Sequence, residues 1–370
     1  MSLVRTALTT VAACTLIVTP FAAAVSTPRA TLVSAPIITL PGNVDSNSPV
    51  IWDLEGGQER MFVLTSHSGV ASIASGQELD LMSEPEAIEL TPYPGYGVWM
   101  EAVVSDDVET WYGFYHNEWP ASRCGRDDRF VPRIGAAKST DRGRTWEDLG
   151  VVLQARQATT ACESTNKYVI GGDGDLSVML DRDKKFLYFF YSQYPERAES
   201  QGVAVARMAW ADRDRPSGQL EIWREGMWDD GARRRELLPG LPGTERRMLE
   251  WTYLSATPLV APTEPWHDGD DKVDAFWGPS VHWNTLLEQY VMLLNRAKDE
   301  SFTQEGIYVS YAPRLDDPSL WTAPQKILNG GRWYPQVIGL TPGVGTDKIA
   351  AGTPRFFMSG KSEWIINFSK

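Results

Sequence analysis

An apolar run, usually closed by Asp or Asn, is followed after a short turn by a strongly aromatic run, and this pairing recurs five times along the chain. The leading runs are "SPVIWD" (48–53), "EAVVSD" (101–106), "LSVMLD" (176–181), "PSVHWN" (279–284) and "PQVIGL" (335–340). The runs that follow are "MFVLTSH", "WYGFYHNE", "FLYFFYSQY", "QYVMLLNRA" and "RFFMSGK". Third runs succeed them as "GVASIAS", "RIGAAKST", "GVAVARMA", "GIYVSYA" and "EWIINFS". Enrichment in β-branched and aromatic residues, with Gly, Asp and Pro at the joints, predicts antiparallel strands in meanders rather than helices.

Four units carry a fourth run, "AIEL", "GVVLQ", "LEIW" and "KIL", whereas the fifth reaches Lys370 without one. The missing strand is available near the other end of the chain as "IITL" (37–40). A ring closed in this way has none of the exposed edges of an open sheet. The expected fold is therefore all-β, a five-bladed β-propeller closed by an N-terminal strand, with very little helix. The stretch 225–272, rich in Arg, Pro and Gly, is the main irregular insertion and is placed as a lid beside the central channel.

The segment "KSTDRGRTW" (138–146) falls between the third and fourth runs of unit two. Its pattern, Ser139-x-Asp141-x-Gly143-x-Thr145-Trp146, resembles the Asp box of sialidases and related β-propellers. Physically it reads as a hairpin turn: Asp141 accepts backbone N–H bonds, Gly143 supplies a positive φ, and Trp146 plugs the space beneath. The turn uses up the acceptors of Asp141, so the motif speaks for architecture and not for catalysis. Looser counterparts, "ADRDRPSGQLEIW" and "YAPRLDDPSLW", stand at the same place in units three and four.

Residues 1–24 have the layout of a cleaved secretory signal: Arg5, an apolar stretch from Ala7 to Phe21, and Ala22-Ala23-Ala24. A lipoprotein reading at Cys14 is disfavoured because the apolar stretch continues beyond it. The mature chain, 25–370, is expected to be one propeller domain, monomeric, secreted or periplasmic, and free of the membrane after cleavage. Loss of Arg5 takes the net charge from −13 to −14. Acidity spread without long blocks argues against nucleic acid and anionic membranes as partners. Cys124 and Cys162 remain as an even pair flanking the Asp-box hairpin, and a disulfide clasping its ends is expected in an oxidising compartment. Two Cys and four scattered His offer no zinc-ligand spacing, and no metal or cofactor is expected. A channel Ca²⁺ stays open on the strength of the carboxylates alone, without a motif. Fifteen Trp, thirteen Tyr and twelve Phe supply blade packing, with faces left that suit sugar rings.

In a propeller the starts of the innermost strands converge on the central channel. Those starts carry Asp45 in "NVDSNSPV", Glu101 in "VWMEAVV" and Asp173 and Asp175 in "GGDGDLSV". They also carry Trp277 in "FWGPSV", with His282 further along, and Trp333 and Tyr334 in "RWYPQV". Asp45 and Asp173 stand in register, five residues before the matched Val50 and Val178. Converging carboxylates walled by aromatic residues are what glycoside hydrolysis requires, one as proton donor and one as base or nucleophile. Their mutual repulsion raises one pKa and keeps that group protonated. Gly171-Gly172 lets backbone and ligand come close.

The blade order and the starts "D…SPV", "GDGDLSV" and "GPSV" resemble the five-bladed propeller glycosidases of glycoside hydrolase family 43 and its relatives. The resemblance covers most of the mature chain and implies a carbohydrate substrate. In that family an Asp opening blade one is the base, an Asp opening blade three tunes the acid, and a Glu before Gly-Pro in blade four is the acid. Carried over, these roles fall on Asp45 and on Asp175, with Asp173 as competitor. The third position departs from the pattern, because Trp277-Gly278-Pro279 replaces Glu-Gly-Pro. Glu101, which heads an inner strand, is the first choice for the missing donor, followed by Glu118 and Glu305. His116, Glu118 and Arg296, near the ends of second strands, are candidate sugar-binding residues, as are Trp277, His282 and Tyr334.

Two alternatives stand beside an exported glycoside hydrolase. A sialidase is suggested by the Asp box, with Arg126, Arg133 and Arg207 as nominees for its carboxylate clamp, although none heads an inner strand. A non-catalytic propeller binding glycans or a protein partner is suggested by the lost blade-four Glu.

Overall fold

Strands that alternate bulky residues to both sides bury both faces only when sheets stack side by side, and a ring of blades does this for every sheet. The computed structural model describes residues 27–106, 109–239, 247–267 and 272–370. Blade one consists of Val50–Glu55, Gln58–His67, Val70–Gly76 and Glu86–Ala87. Blade two consists of Val98–Ser105, Trp111–Ala121, Arg126–Ser139 and Thr145–Leu153. Blade three consists of Asp173–Leu180, Phe186–Gln193, Gly202–Ala209 and Glu221–Arg224, extended by Met227–Asp229. Blade four consists of Phe276–Asn284, Gln289–Ala297, Gln304–Ala312 and Gln325–Asn329. Blade five consists of Pro335–Ile338, Arg355–Met358 and Lys361–Ser369.

The five sheets enclose five apolar cores, one at each joint, including Leu176, Phe189 and Phe114 between blades two and three and Val50, Val63 and Phe357 between five and one. The protein is therefore an all-β, five-bladed propeller. Among the described residues the only helical pieces are 3₁₀ turns of three residues, and no helix is long and apolar enough to cross a membrane. The signal-like stretch 1–24 lies outside the described residues.

Blade five is completed by the N-terminal strand Arg29–Thr39, which pairs antiparallel from Arg29↔Ser369 to Thr39↔Lys361. The strand begins well before the expected "IITL". Being outermost it is half exposed, so its first half lacks a hydrophobic signature, and its register breaks between Ser34 and Ile38, around Pro36.

Two expectations change. The run "AIEL" is split: Glu86–Ala87 pairs within blade one, but Glu89–Thr91 runs parallel to Thr145–Leu153 of blade two. Leu90 is drawn across because it packs with Trp111 and Trp146 in the joint between the blades. The insertion 225–272 is not simply irregular. Arg233–Pro239 and Arg247–Tyr253 form a hairpin whose Tyr253 exchanges backbone bonds with Gln154 and Arg156, just past the outer strand of blade two.

The 138–146 turn forms between the third and fourth strands of blade two. Asp141 accepts from the backbone N–H groups of Arg144 and Thr145 and from the Thr145 hydroxyl, and these bonds hold its carboxyl below the ordinary value despite partial burial. Gly143 has φ +80°, and Trp146 donates to its carbonyl from a buried position. At the opposite end of the same hairpin, Cys124 and Cys162 form a disulfide, with Cα atoms 5.2 Å apart.

Closure by the first strand makes the ring one cooperative unit. Removal of residues 29–39 should lower the melting temperature of the whole protein in a calorimetric scan, by exposing the edge Lys361–Ser369. An unchanged main transition would refute this.

Candidate active site

Three inner strands break register at their upper ends, between Met100 and Ala102, Gly174 and Leu176, and Trp277 and Ser280. The residues left over are Glu101, Asp175 and the pair Gly278–Pro279. A bulge of this kind takes a side chain out of the normal alternation and re-aims it. Asp175 adopts φ +40°, in the left-handed region, which sharpens the bend. Gly174 is required for close approach, because a Cβ there would lie 2.6 Å from His116 Cε1.

Each bulge also frees a backbone N–H that a side chain from the preceding blade accepts. Ser66 Oγ takes Met100 N at 2.9 Å, His116 Nδ1 takes Asp175 N at 3.0 Å, and Ser192 Oγ takes Gly278 N at 2.9 Å. The histidine in this series is the hub of the site. Its Nδ1 lies 3.8 Å from both Glu101 Oε1 and Asp175 Oδ1, and its Nε2 lies 4.0 Å from Glu118 Oε1. Because Nδ1 accepts a backbone N–H, the ring proton sits on Nε2 and points toward Glu118. Burial lowers the His116 pKa and keeps the ring neutral.

Glu101 is almost fully buried, and its Oε2 accepts Leu176 N at 2.7 Å. Burial raises its pKa well above the ordinary value, with help from the Asp175 and Asp45 charges. Asp175 accepts the hydroxyl of Tyr194 on Oδ2 and that of Tyr334 on Oδ1 at 3.1 Å. Asp45 is about a third exposed. Its Oδ1 accepts the Trp99 indole N–H at 2.7 Å, and its Oδ2 accepts Ser68 N at 3.3 Å and lies 3.5 Å from His67 Nδ1. Glu118, with 26% of its side chain exposed, is raised to about 7, first by burial and then by the charges of Asp175 and Asp45.

The structure thus brings together Asp45, Glu101, His116, Glu118, Asp175 and Tyr334. Asp173 stays outside. It is buried near Tyr191, and burial raises its carboxyl to about 7. Trp277 is buried among Phe302, Trp333 and Tyr334, behind the cluster. His282 packs on Phe368 in the joint between blades four and five, its pKa lowered to about 3 by burial and Lys348. Arg296 is turned to Asp274 and Tyr308, and Glu305 to Lys326 and Tyr308, both away from the cluster. Arg126, Arg133 and Arg207 serve separate partners: the carbonyls of Cys162 and Ser164, Asn117 with Glu250, and Glu221.

His67, Trp99 and Tyr194 complete the site without having been singled out in the sequence. Their signal is positional: His67 and Tyr194 end second strands as His116 and Glu118 nearly do, and Trp99 precedes Glu101 by two residues.

Glu101, His116 and Asp175 each offer one donor atom within 4.8 Å of the others, a grouping that could hold a metal ion. They fit Ca²⁺ poorly. Nδ1 already accepts a backbone N–H, both Asp175 oxygens accept tyrosine hydroxyls, and Ca²⁺ takes six to eight oxygens.

No protein-family model and no curated protein matches the chain. Solved structures resemble it at low identity. An exo-1,5-α-L-arabinanase from a bovine ruminal metagenomic library is 12% identical over 88% of this chain and 95% of its own, with a TM-score of 0.45. An endo-arabinase from Bacteroides thetaiotaomicron is 10% identical over 90% and 97%, with a TM-score of 0.46. The catalytic domain of a Coprinopsis cinerea GH62 α-L-arabinofuranosidase is 9% identical over 91% and 96%, with a TM-score of 0.45. The five blades follow from the chain's own strand pairing.

Glu101, Glu118 and Asp173 all have folded pKa values above their ordinary ones, so the folded state holds their protons more tightly than the unfolded chain. For Glu118 and Asp173 this contribution is complete below the unfolded values near 4 and is lost as pH rises through about 7. Asp173→Asn should therefore raise the unfolding free energy at about pH 8, by on the order of a few kcal/mol, and much less at about pH 4. An equal effect at both pH values would show that the carboxyl is not buried as described.

Proposed function

We propose that the protein is an exported glycoside hydrolase acting on a polysaccharide or glycoconjugate. Glu118 is its proton donor, Asp45 its base, and Asp175 the charge that, after burial, helps keep the donor protonated. The observation that carries this reading is a partly open carboxyl, Glu118, raised to about 7 in one cluster with Asp45 and Asp175 of two other blades, each held by hydrogen bonds. A carboxyl kept protonated near neutrality, facing a second carboxyl across the site, is what acid–base cleavage of a glycoside needs.

Glu118 passes its proton to the leaving glycosidic oxygen as the bond to the anomeric carbon breaks. A water molecule forms the new bond to that carbon, and Asp45 takes its proton. The Trp99 and Ser68 N–H groups hold Asp45 in place, and both tyrosine hydroxyls steady Asp175. Glu101, the first choice from sequence, shares the raised pKa but is sealed beneath the bulge on Leu176 N, where a sugar oxygen has no access. Its role in this reading is to hold blades two and three together around the hub. Export is supported by the signal-like N-terminus and by the disulfide. The substrate is a carbohydrate, and the working form is a monomer.

The test is hydrolysis of a panel of arabino-, xylo- and galacto-configured glycosides. Glu118→Gln and Asp45→Asn should each cut kcat by about 100-fold or more without lowering the melting temperature. Activity should fall as pH rises through about 7, and Glu118→Gln should abolish that limb. Near-normal turnover in Glu118→Gln with loss in Glu101→Gln would return the donor role to Glu101. Tight glycan binding with no hydrolysis across the panel would favour a binding propeller.

A further inference from the structure

The face of the ring that carries Glu118 also carries an open cleft of about 390 Å³, walled by the turn at Arg123, the turn at Gln157 and Ala158, and the hairpin strand with Arg234, Arg235 and Glu236. Three guanidinium groups face one carboxylate there, on a chain whose net charge is −13. Glu236 is already engaged, since Oε1 accepts from Arg234 and Oε2 accepts Gln157 N at 3.3 Å. Arg123 and Arg235 are exposed and have no carboxylate partner among the described residues. Trp251 lies behind Arg235, with the guanidinium 5.5 Å from its ring.

Arg156 adds to the excess of positive charge. Its Nη2 donates to Ala232 O at 2.9 Å, while its buried Nε has no partner. Burial, and next the charge of Arg234, lower its pKa, with Glu236 acting the other way as the shared carboxylate. The walls are also tied in place. The disulfide fixes the turn beside Arg123, and the Gln157–Glu236 bond joins the loop to the hairpin. An acidic fold that gathers and braces more arginines than carboxylates in one cleft is built to receive an anion.

We propose that this cleft is a binding site for acidic polysaccharide, taking sulfate or carboxylate groups of a glycan chain on Arg123, Arg234 and Arg235. The size suits a sugar unit better than a single inorganic ion. The position suits a chain running into the cluster. Arg123 follows Ala121, the end of the strand that presents His116 and Glu118, and three strand steps from Glu118 to Ala121 span about 10 Å. Bidentate guanidinium contacts make the recognition selective for anionic over neutral glycans. The link to cleavage rests on the glycosidase reading, whereas the binding itself does not.

The experiment is calorimetric titration of the full protein with dextran sulfate, polygalacturonate and neutral dextran, at about 50 mM and about 300 mM salt. The sulfated or the carboxylated polymer, or both, should bind, weaken as salt rises, and outcompete neutral dextran. The two arms identify which acid group is taken. Arg123→Gln with Arg235→Gln should weaken binding more than about tenfold, and the paired Lys variants, which keep the charge but not the bidentate fork, should recover only part of that loss. Equal binding of neutral dextran, no effect of the double Gln variant, or equally tight binding of single-stranded DNA would overturn the proposal. A protein that binds these polymers but hydrolyses nothing would defeat the glycosidase reading and leave this one standing; an active enzyme blind to charge would do the reverse.

Discussion

The ring depends on one repeated hydrogen bond. Wherever an inner strand bulges, a backbone N–H is left without a ladder partner, and a side chain on the second strand of the preceding blade accepts it. An unmet N–H in that position would cost about 1–3 kcal/mol, so the bond and the bulge are obligatory companions. Ser66, His116 and Ser192 fill this role at three successive joints. Blades five and one are joined by a different pair, with Gln336 giving and receiving bonds from the backbone of Ser48. Where the acceptor is a serine, the joint is simply a joint. Where it is His116, the same bond fixes a tautomer and turns an N–H toward a carboxyl, and the joint becomes a site.

That arrangement sets stability against chemistry. Glu101, Glu118 and Asp175 crowd one histidine that is itself neutral and brings no compensating charge. Burial and repulsion hold Glu101 and Glu118 protonated well above the usual range, a cost that an apolar joint would not bear. Tyrosine hydroxyls and backbone amides, not cations, contain the remaining charge. Neutral donors do this without cancelling the field that raises Glu118.

The blade count and nearly every strand were legible because strands buried on both faces repeat a strong apolar and aromatic pattern. The outermost strand was not, since half exposure erases that pattern before Ile37. Asp45, Glu101 and Asp175 were legible as carboxylates opening inner strands. The choice between Asp173 and Asp175 was not, because a bulge shifts the alternation by one residue and nothing in "GGDGDLSV" fixes where the extra residue falls. The different burial of Glu101 and Glu118 was likewise closed to sequence reading. Both are glutamates in blade two, and only their depth beneath the surface separates them. His67 and Tyr194 show that the ends of the second strands carry as much of the site as the starts of the first.

The closing strand has a consequence for the timing of folding. Arg29 pairs with Ser369, so the strand Arg29–Thr39 must wait for residues 361–369 to be synthesised before blade five is complete. Bringing ends so far apart into contact costs about 5 kcal/mol of chain entropy, recovered only when the whole edge pairs. Until then Lys361–Ser369 and Arg29–Thr39 are two unmatched ribbons on one molecule, each a template for the other's copy on a neighbour. Crowded nascent chains are thus exposed to exchanging their first strands, and a dimer linked in that way would keep every blade intact.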